Sequence, residues 1–176
     1  MLSLAREAIS DKLARGSAPV ADVADAALRT PRGAFVSLHI DGALRGCIGT
    51  LYADKPLHET VSEMAAKAAT ADPRFAPLSP RELRSADIEI SVLTPFTPIA
   101  PEDVEVGRHG LYIARGRRRG VLLPQVPVQF GWDRETFLAQ VCRKAGLDAD
   151  AWGAADTILM AFEAQVFSDL GELEEG

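Results

Sequence analysis

Residues 34–51 constrain this chain more than any other stretch. Ala34, Val36, Leu38 and Ile40 alternate with Phe35, Ser37, His39 and Asp41, the two-residue period of a β-strand. Asp41-Gly42 follows, a pair that tolerates the positive φ angles of a tight hairpin turn. Residues 43–51 then return as the second strand. A simple two-residue turn sets Ile40 opposite Ala43, Leu38 opposite Arg45 and Val36 opposite Cys47. Directly paired residues share a sheet face, so this register puts Arg45 and Cys47 beside the aliphatic row. A slip of one residue reverses that placement.

The rest of the chain reads as helices and strands around this hairpin. Leu2, Ala5, Ile9 and Leu13 mark one face of an N-terminal helix over 2–15. A second, short helix is expected over 20–28. Residues 56–71 make a long helix with a narrow stripe of Val61, Met64, Ala65, Ala68 and Ala69, ended by Asp72-Pro73. Ser79-Pro80-Arg81-Glu82 has the pattern of a capping box. Residues 87–94 form a strand, and Pro95, Pro98 and Pro101 mark the boundary between two lobes at about 95–103. A hairpin over 110–114 and 120–123, a helix over 134–145 capped by Asp133, and one long strand over 157–167 complete the chain. The acidic tail from Gly171 is expected to fray.

The chain has 176 residues, enough for a single core with a small satellite lobe. Its net charge of −6 argues against nucleic acid as the main partner. Cys47 and Cys142 are the only cysteines, which fits a reduced, cytoplasmic setting. No apolar run reaches the ~18 residues of a membrane span. The amphipathic N-terminus lacks the pattern of a secretory signal.

Cys47 is the one candidate nucleophile. A thiol beside a positive charge favours its reactive thiolate, and Arg45 stands two residues away. Gly46 and Gly49 have no side chains and leave room for a ligand or a second backbone to approach. The plainer reading, a small buried hydrophobe among packing glycines, is favoured for Cys47. Arg45 on an apolar face must be paired or open to a cleft, because an unpaired buried charge is costly. Glu89 is its expected structural partner, with Asp72 and Glu63 as alternatives. Arg45 and Arg74 together have the chemistry to bind a carboxylate or phosphate. Gln125, after Leu123-Pro124, and Trp132 are further candidates to line a cleft, although a rigid turn and a core tryptophan explain them as well. The basic group Arg115, Arg117, Arg118 and Arg119 reads as a solvated hairpin tip. Histidines and cysteines are too scattered for a metal site, and no cofactor motif is present.

Leu44-Arg45-Gly46-Cys47-Ile48-Gly49-Thr50 resembles the signature of the AMMECR family. The likeness continues through Ala71-Asp72-Pro73-Arg74-Phe75, Ile88-Glu89-Ile90-Ser91-Val92-Leu93, His109-Gly110-Leu111, Leu122-Leu123-Pro124-Gln125-Val126 and Cys142-Arg143-Lys144-Ala145-Gly146-Leu147. It covers residues 33–167. The resemblance implies an α+β fold, with a mainly antiparallel sheet flanked by helices and a smaller second lobe across a cleft. Prokaryotic relatives are named for the AmmeMemoRadiSam system, which implies a pathway shared with a Memo-like protein and a radical-SAM-like protein. The expected function is a binding or adaptor module that recognises a protein or small anionic ligand in that cleft. An enzyme using Cys47 is the alternative, and an RNA-associated protein is a weaker one.

Overall fold

A computed structural model describes residues 1–18 and 22–169. The chain divides into two compact units, Met1–Leu93 with the chain from Gln165, and Thr94–Ala164. Both mix helices with antiparallel strands, in line with the expected α+β class.

The first unit is built on a sheet of four strands. These are β1 (Ala34–Ile40), β2 (Ala43–Thr50), β3 (Asp87–Leu93) and β8 (Ala164–Ser168), in the order β2-β1-β3-β8. Helices α1 (Leu2–Arg15) and α3 (Leu57–Thr70) supply the other half of its core. Ala34, Val36, Leu38, Ile88 and Ile90 from the strands meet Val61, Met64, Ala65, Ala68 and Ala69 of α3 and Ala5 and Ile9 of α1. The alanine stripe is what brings α3 close to the sheet. The short helix α2 (Ala26–Arg29) begins later than the sequence suggests, and part of the expected 20–28 helix lies outside the described residues. Helix α4 (Pro80–Ser85) has the expected capping box: the Ser79 hydroxyl accepts from the Glu82 N–H, and the Glu82 carboxylate accepts from the Ser79 N–H.

The hairpin forms where expected, with Asp41 and Gly42 both at positive φ. Its register is different. Ile40 faces Ala43 and His39 faces Leu44, but Leu38 faces Gly46, Ser37 faces Cys47 and Val36 faces Ile48. Arg45 is an extra residue in β2, a β-bulge. The bulge moves everything after it by one place. Gly46 and Ile48 therefore take the core face, and Cys47 lies with Ser37 on the opposite face. A one-residue change reverses every side chain beyond it.

The second unit has a sheet in the order β4-β7-β5-β6, made of β4 (Thr97–Pro98), β5 (Gly110–Arg115), β6 (Arg118–Leu122) and β7 (Ile158–Phe162). Phe137, Leu138, Val141 and Cys142 of α6 (Arg134–Lys144) join its core with Leu111, Ile113, Leu159 and Ala161. Helix α5 (Gln125–Phe130) occupies a stretch with no helical pattern in the sequence. The single long strand expected over 157–167 is two strands. β7 pairs with β5 in this unit, and β8 belongs to the first sheet. Alternation continues through the break, so periodicity does not reveal it. The acidic tail beyond residue 169 lies outside the described residues.

Candidate functional site around Asp72

The signature strand and the Asp72–Phe75 loop meet at the end of α3, and a glycine makes the meeting possible. A β-carbon at Gly46 would overlap the Ala68 carbonyl of α3. Without one, the helix backbone rests on the strand. Asp72 comes one helical turn after Ala68, just beyond the Ala71 C-cap. At that depth its carboxylate reaches the edge of β2.

Asp72 is the hub of the site. Its side chain is 2% exposed. Oδ2 accepts from the Cys47 N–H at 2.9 Å and from Nη2 of Arg74 at 2.7 Å. Oδ1 accepts from the Arg74 N–H and from its Nε, both at 3.0 Å. The Arg74 side-chain hydrogen bond holds the Asp72 carboxyl well below the usual carboxylate range, against the opposing effect of burial, and the Cys47 and Arg74 backbone donors add to it. The reciprocal effect raises the Arg74 guanidinium, chiefly through the Asp72 hydrogen bond and also through the nearby Cys47 thiol.

Arg45 leaves the bulge toward α4. Nε donates to Glu82 Oε1 at 3.0 Å and Nη1 donates to the Ala76 carbonyl at 2.9 Å. The expected partner Glu89 is not the one used. It sits on β3 opposite Ser37, whereas the bulge at Arg45 turns its side chain to Glu82. Glu82 thus caps α4 and pairs with Arg45, and its pKa falls to about 2 through the Ser79 N–H and hydroxyl first and Arg45 after them. With a side-chain exposure of 19%, Arg45 is largely closed off. Arg74, at 55%, is open. Both cations lie over the Phe75 ring, the guanidinium carbon of Arg45 at 5.9 Å and that of Arg74 at 5.5 Å from its centroid.

The two signature glycines make no hollow here. Gly46 accommodates α3, and a β-carbon at Gly49 would overlap the Phe35 ring. Both are required by close packing of the chain on itself, and neither lines an open ligand space around Cys47. Cys47 is half-buried, and its sulfur accepts a hydrogen bond from the Ser37 hydroxyl at 3.2 Å. His39 falls on the Ser37 side of the strand, the face that also carries Cys47. This reverses the relation expected from the simple turn.

Gln125 and Trp132 belong to the second unit. Gln125 opens α5 and is exposed. Trp132 packs on the second core and stacks with Phe130 at a centroid distance of 5.1 Å. Among the described residues no group of three or more His, Cys, Asp or Glu is placed to hold a metal ion. No helix among them is long and apolar enough to cross a membrane.

Sequence reasoning offered Asp72 only as an alternative partner for Arg45 and quoted Phe75 only within the family likeness, not as a candidate site residue. The available signal was Asp72-Pro73-Arg74 itself: an aspartate that can accept from the backbone two residues on is a turn former.

Comparison with known proteins covers the same span. A protein of Methanothermobacter thermautotrophicus is 44% identical over 181 residues, covering 97% of this chain and 93% of that one. Protein MJ0810 of Methanocaldococcus jannaschii is 46% identical over 148 residues, covering 79% of this chain and 74% of that one. The crystal structure of the uncharacterized protein PH0010 from Pyrococcus horikoshii matches with a TM-score of 0.87 at 40% identity, over 95% of this chain and 88% of that one. Residues 2–167 match the AMMECR1 family, to which this chain belongs.

Proposed function

We propose that the protein is a binding module whose contact point is the Arg74–Phe75 corner of the first unit. The group it recognises is a carboxylate or phosphate, presented by a protein partner or by a small ligand. One observation carries this reading. Asp72 fixes the Arg74 guanidinium through Nε and Nη2 while more than half of the side chain stays exposed. Among the described residues Nη1 has no partner. An arginine held in one orientation loses less freedom when it binds an anion, and its planar fork suits an oxyanion. Phe75 supplies an apolar platform beside it. Arg45, committed to Glu82 and Ala76, braces this corner. Memo-like and radical-SAM-like proteins, named by the family resemblance, are the first partners to try.

The test is nuclear magnetic resonance on the whole chain, titrated separately with succinate, inorganic phosphate and a short glutamate-rich peptide. Saturable shifts at the Arg74 side chain and Phe75 ring are expected, weakened about tenfold or more in Arg74→Gln by loss of a charge-assisted bond. Preference for the peptide identifies a protein partner, and preference for a small dianion identifies a metabolite. Equal binding by Arg74→Gln, or no response to all three probes, refutes the proposal.

The alternative of an enzyme with Cys47 as nucleophile draws support from the Ser37 hydrogen bond and from the neighbouring Arg74. Among the described residues, however, no carboxylate or imidazole is hydrogen-bonded to the sulfur as a general base. Binding therefore takes precedence.

A further inference from the structure

A second site lies in the first unit, where β2 continues past Cys47 and faces the first turns of α3. Ile48, Gly49, Thr50, Asp54, Lys55, Thr60, Glu63, Met64 and Lys67 line a cavity of about 280 Å³ there. Its ionic groups are balanced, with Lys55 and Lys67 against Asp54 and Glu63. Glu63 lies between the two ammonium groups, 2.6 Å from Lys55 and 2.7 Å from Lys67.

Two uncharged polar groups also stand in the lining. Thr60 of α3 is 2% exposed and brings a hydroxyl-bearing side chain to this lining. Gly49 supplies the other. β2 is the edge of the sheet. The Cys47 N–H points outward to Asp72. Gly49, two residues along the same regular ladder, turns its N–H and C=O outward as well. Among the described residues neither has a partner. An edge-strand N–H and C=O that face a cavity can pair with an occupant of that cavity.

We propose that this cavity binds a small zwitterion of the free α-amino-acid type. The carboxylate pairs with Lys67 and Lys55 and accepts from the Gly49 N–H or Thr60 hydroxyl. The ammonium pairs with Asp54 and Glu63. Ile48 and Met64 meet a short apolar side chain. A simple dianion faces two carboxylates here, and a simple cation faces two ammonium groups. A peptide terminus carries only one of the two charges at its end. The zwitterion satisfies both signs in a space of this size. This site shares no lining residue with the Arg74 corner.

The whole chain, isotope-labelled, is titrated with L-alanine and L-methionine, and in parallel with acetate and methylammonium as the two half-ligands. Saturable amide shifts at Gly49 and Thr60 are expected with an amino acid, with at least about tenfold weaker binding of either half. Thr60→Val, a conservative change that keeps the helix, weakens the amino acid about fivefold through loss of one hydrogen bond. Glu63→Gln makes the balance positive, so acetate binds more tightly than in the parent and the amino acid more weakly. Equal affinity for acetate and the amino acids in the parent chain overturns the proposal. So does the absence of saturable shifts at Gly49 and Thr60 up to about 50 mM of either amino acid, the scale of the weakest useful site.

Discussion

Replacing Asp72 with asparagine keeps the shape of the side chain and removes its charge. The native carboxylate accepts four hydrogen bonds, two at each oxygen. An amide has one oxygen. If its NH₂ group takes the Oδ2 position, it points a donor at the Cys47 N–H and at Nη2 of Arg74. Turned over, it meets the Arg74 N–H and Nε instead. Either way one backbone bond and one arginine bond are lost together. The backbone bond contributes about 1 kcal/mol, and the bond to a charged group about 1.5 kcal/mol at the low end, since Arg74 is partly solvated. A donor left unpaired in a site this buried adds about 1 kcal/mol more. The expected destabilisation is about 3.5 kcal/mol at pH 7, or roughly 7–14 °C in Tm for a chain of this size. Circular dichroism melts of both proteins measure it. Acid gives an independent check. The native Asp72 carboxyl is depressed relative to its ordinary value of 3.8, so its contribution is complete above that value and declines as pH falls toward the native pKa. Below pH 3.8 the advantage over the asparagine variant shrinks by about 1.4 kcal/mol per pH unit while native Asp72 stays ionised. A difference under about 1 kcal/mol at pH 7, or one that is the same at pH 3 as at pH 7, refutes the assignment of Asp72 as the hub.

Two further predictions concern the signature strand. Gly46→Ala forces a methyl group into the Ala68 carbonyl. It should destabilise the protein by about 3 kcal/mol, the upper end for overpacking, because the obstacle is backbone. A loss below about 0.5 kcal/mol in urea unfolding counts against that close approach. Iodoacetamide should modify Cys47 in the native protein and spare Cys142, which is fully buried and whose thiol is pushed up by burial. Peptide mapping that finds Cys142 alkylated first, or Cys47 inert until unfolding, contradicts the exposure assigned to each and ends the nucleophile reading of Cys47.

Local chemistry was readable where it is completed within a few residues. The Asp41-Gly42 turn, the Ser79–Glu82 capping box and the apolar stripes of α1, α3 and α6 follow from spacing alone. The bulge at Arg45 does not, since one extra residue in an edge strand leaves no mark on composition or alternation. It nevertheless decides the face occupied by Cys47 and the carboxylate that pairs with Arg45. The break between β7 and β8 is hidden for the same reason, because both halves continue one alternating pattern.

By itself, the sequence determined the family and the order of most elements. Only the tertiary structure decided what the residues of the signature strand and the Asp72-Pro73-Arg74-Phe75 loop do. Gly46 admits the α3 backbone, that contact sets the depth of Asp72, and Asp72 holds the Cys47 amide and Arg74 together. Partners such as Arg45 and Glu82 are 37 residues apart in sequence. Which charges meet across such separations depends on strand register and helix packing, and those depend on the whole folded core.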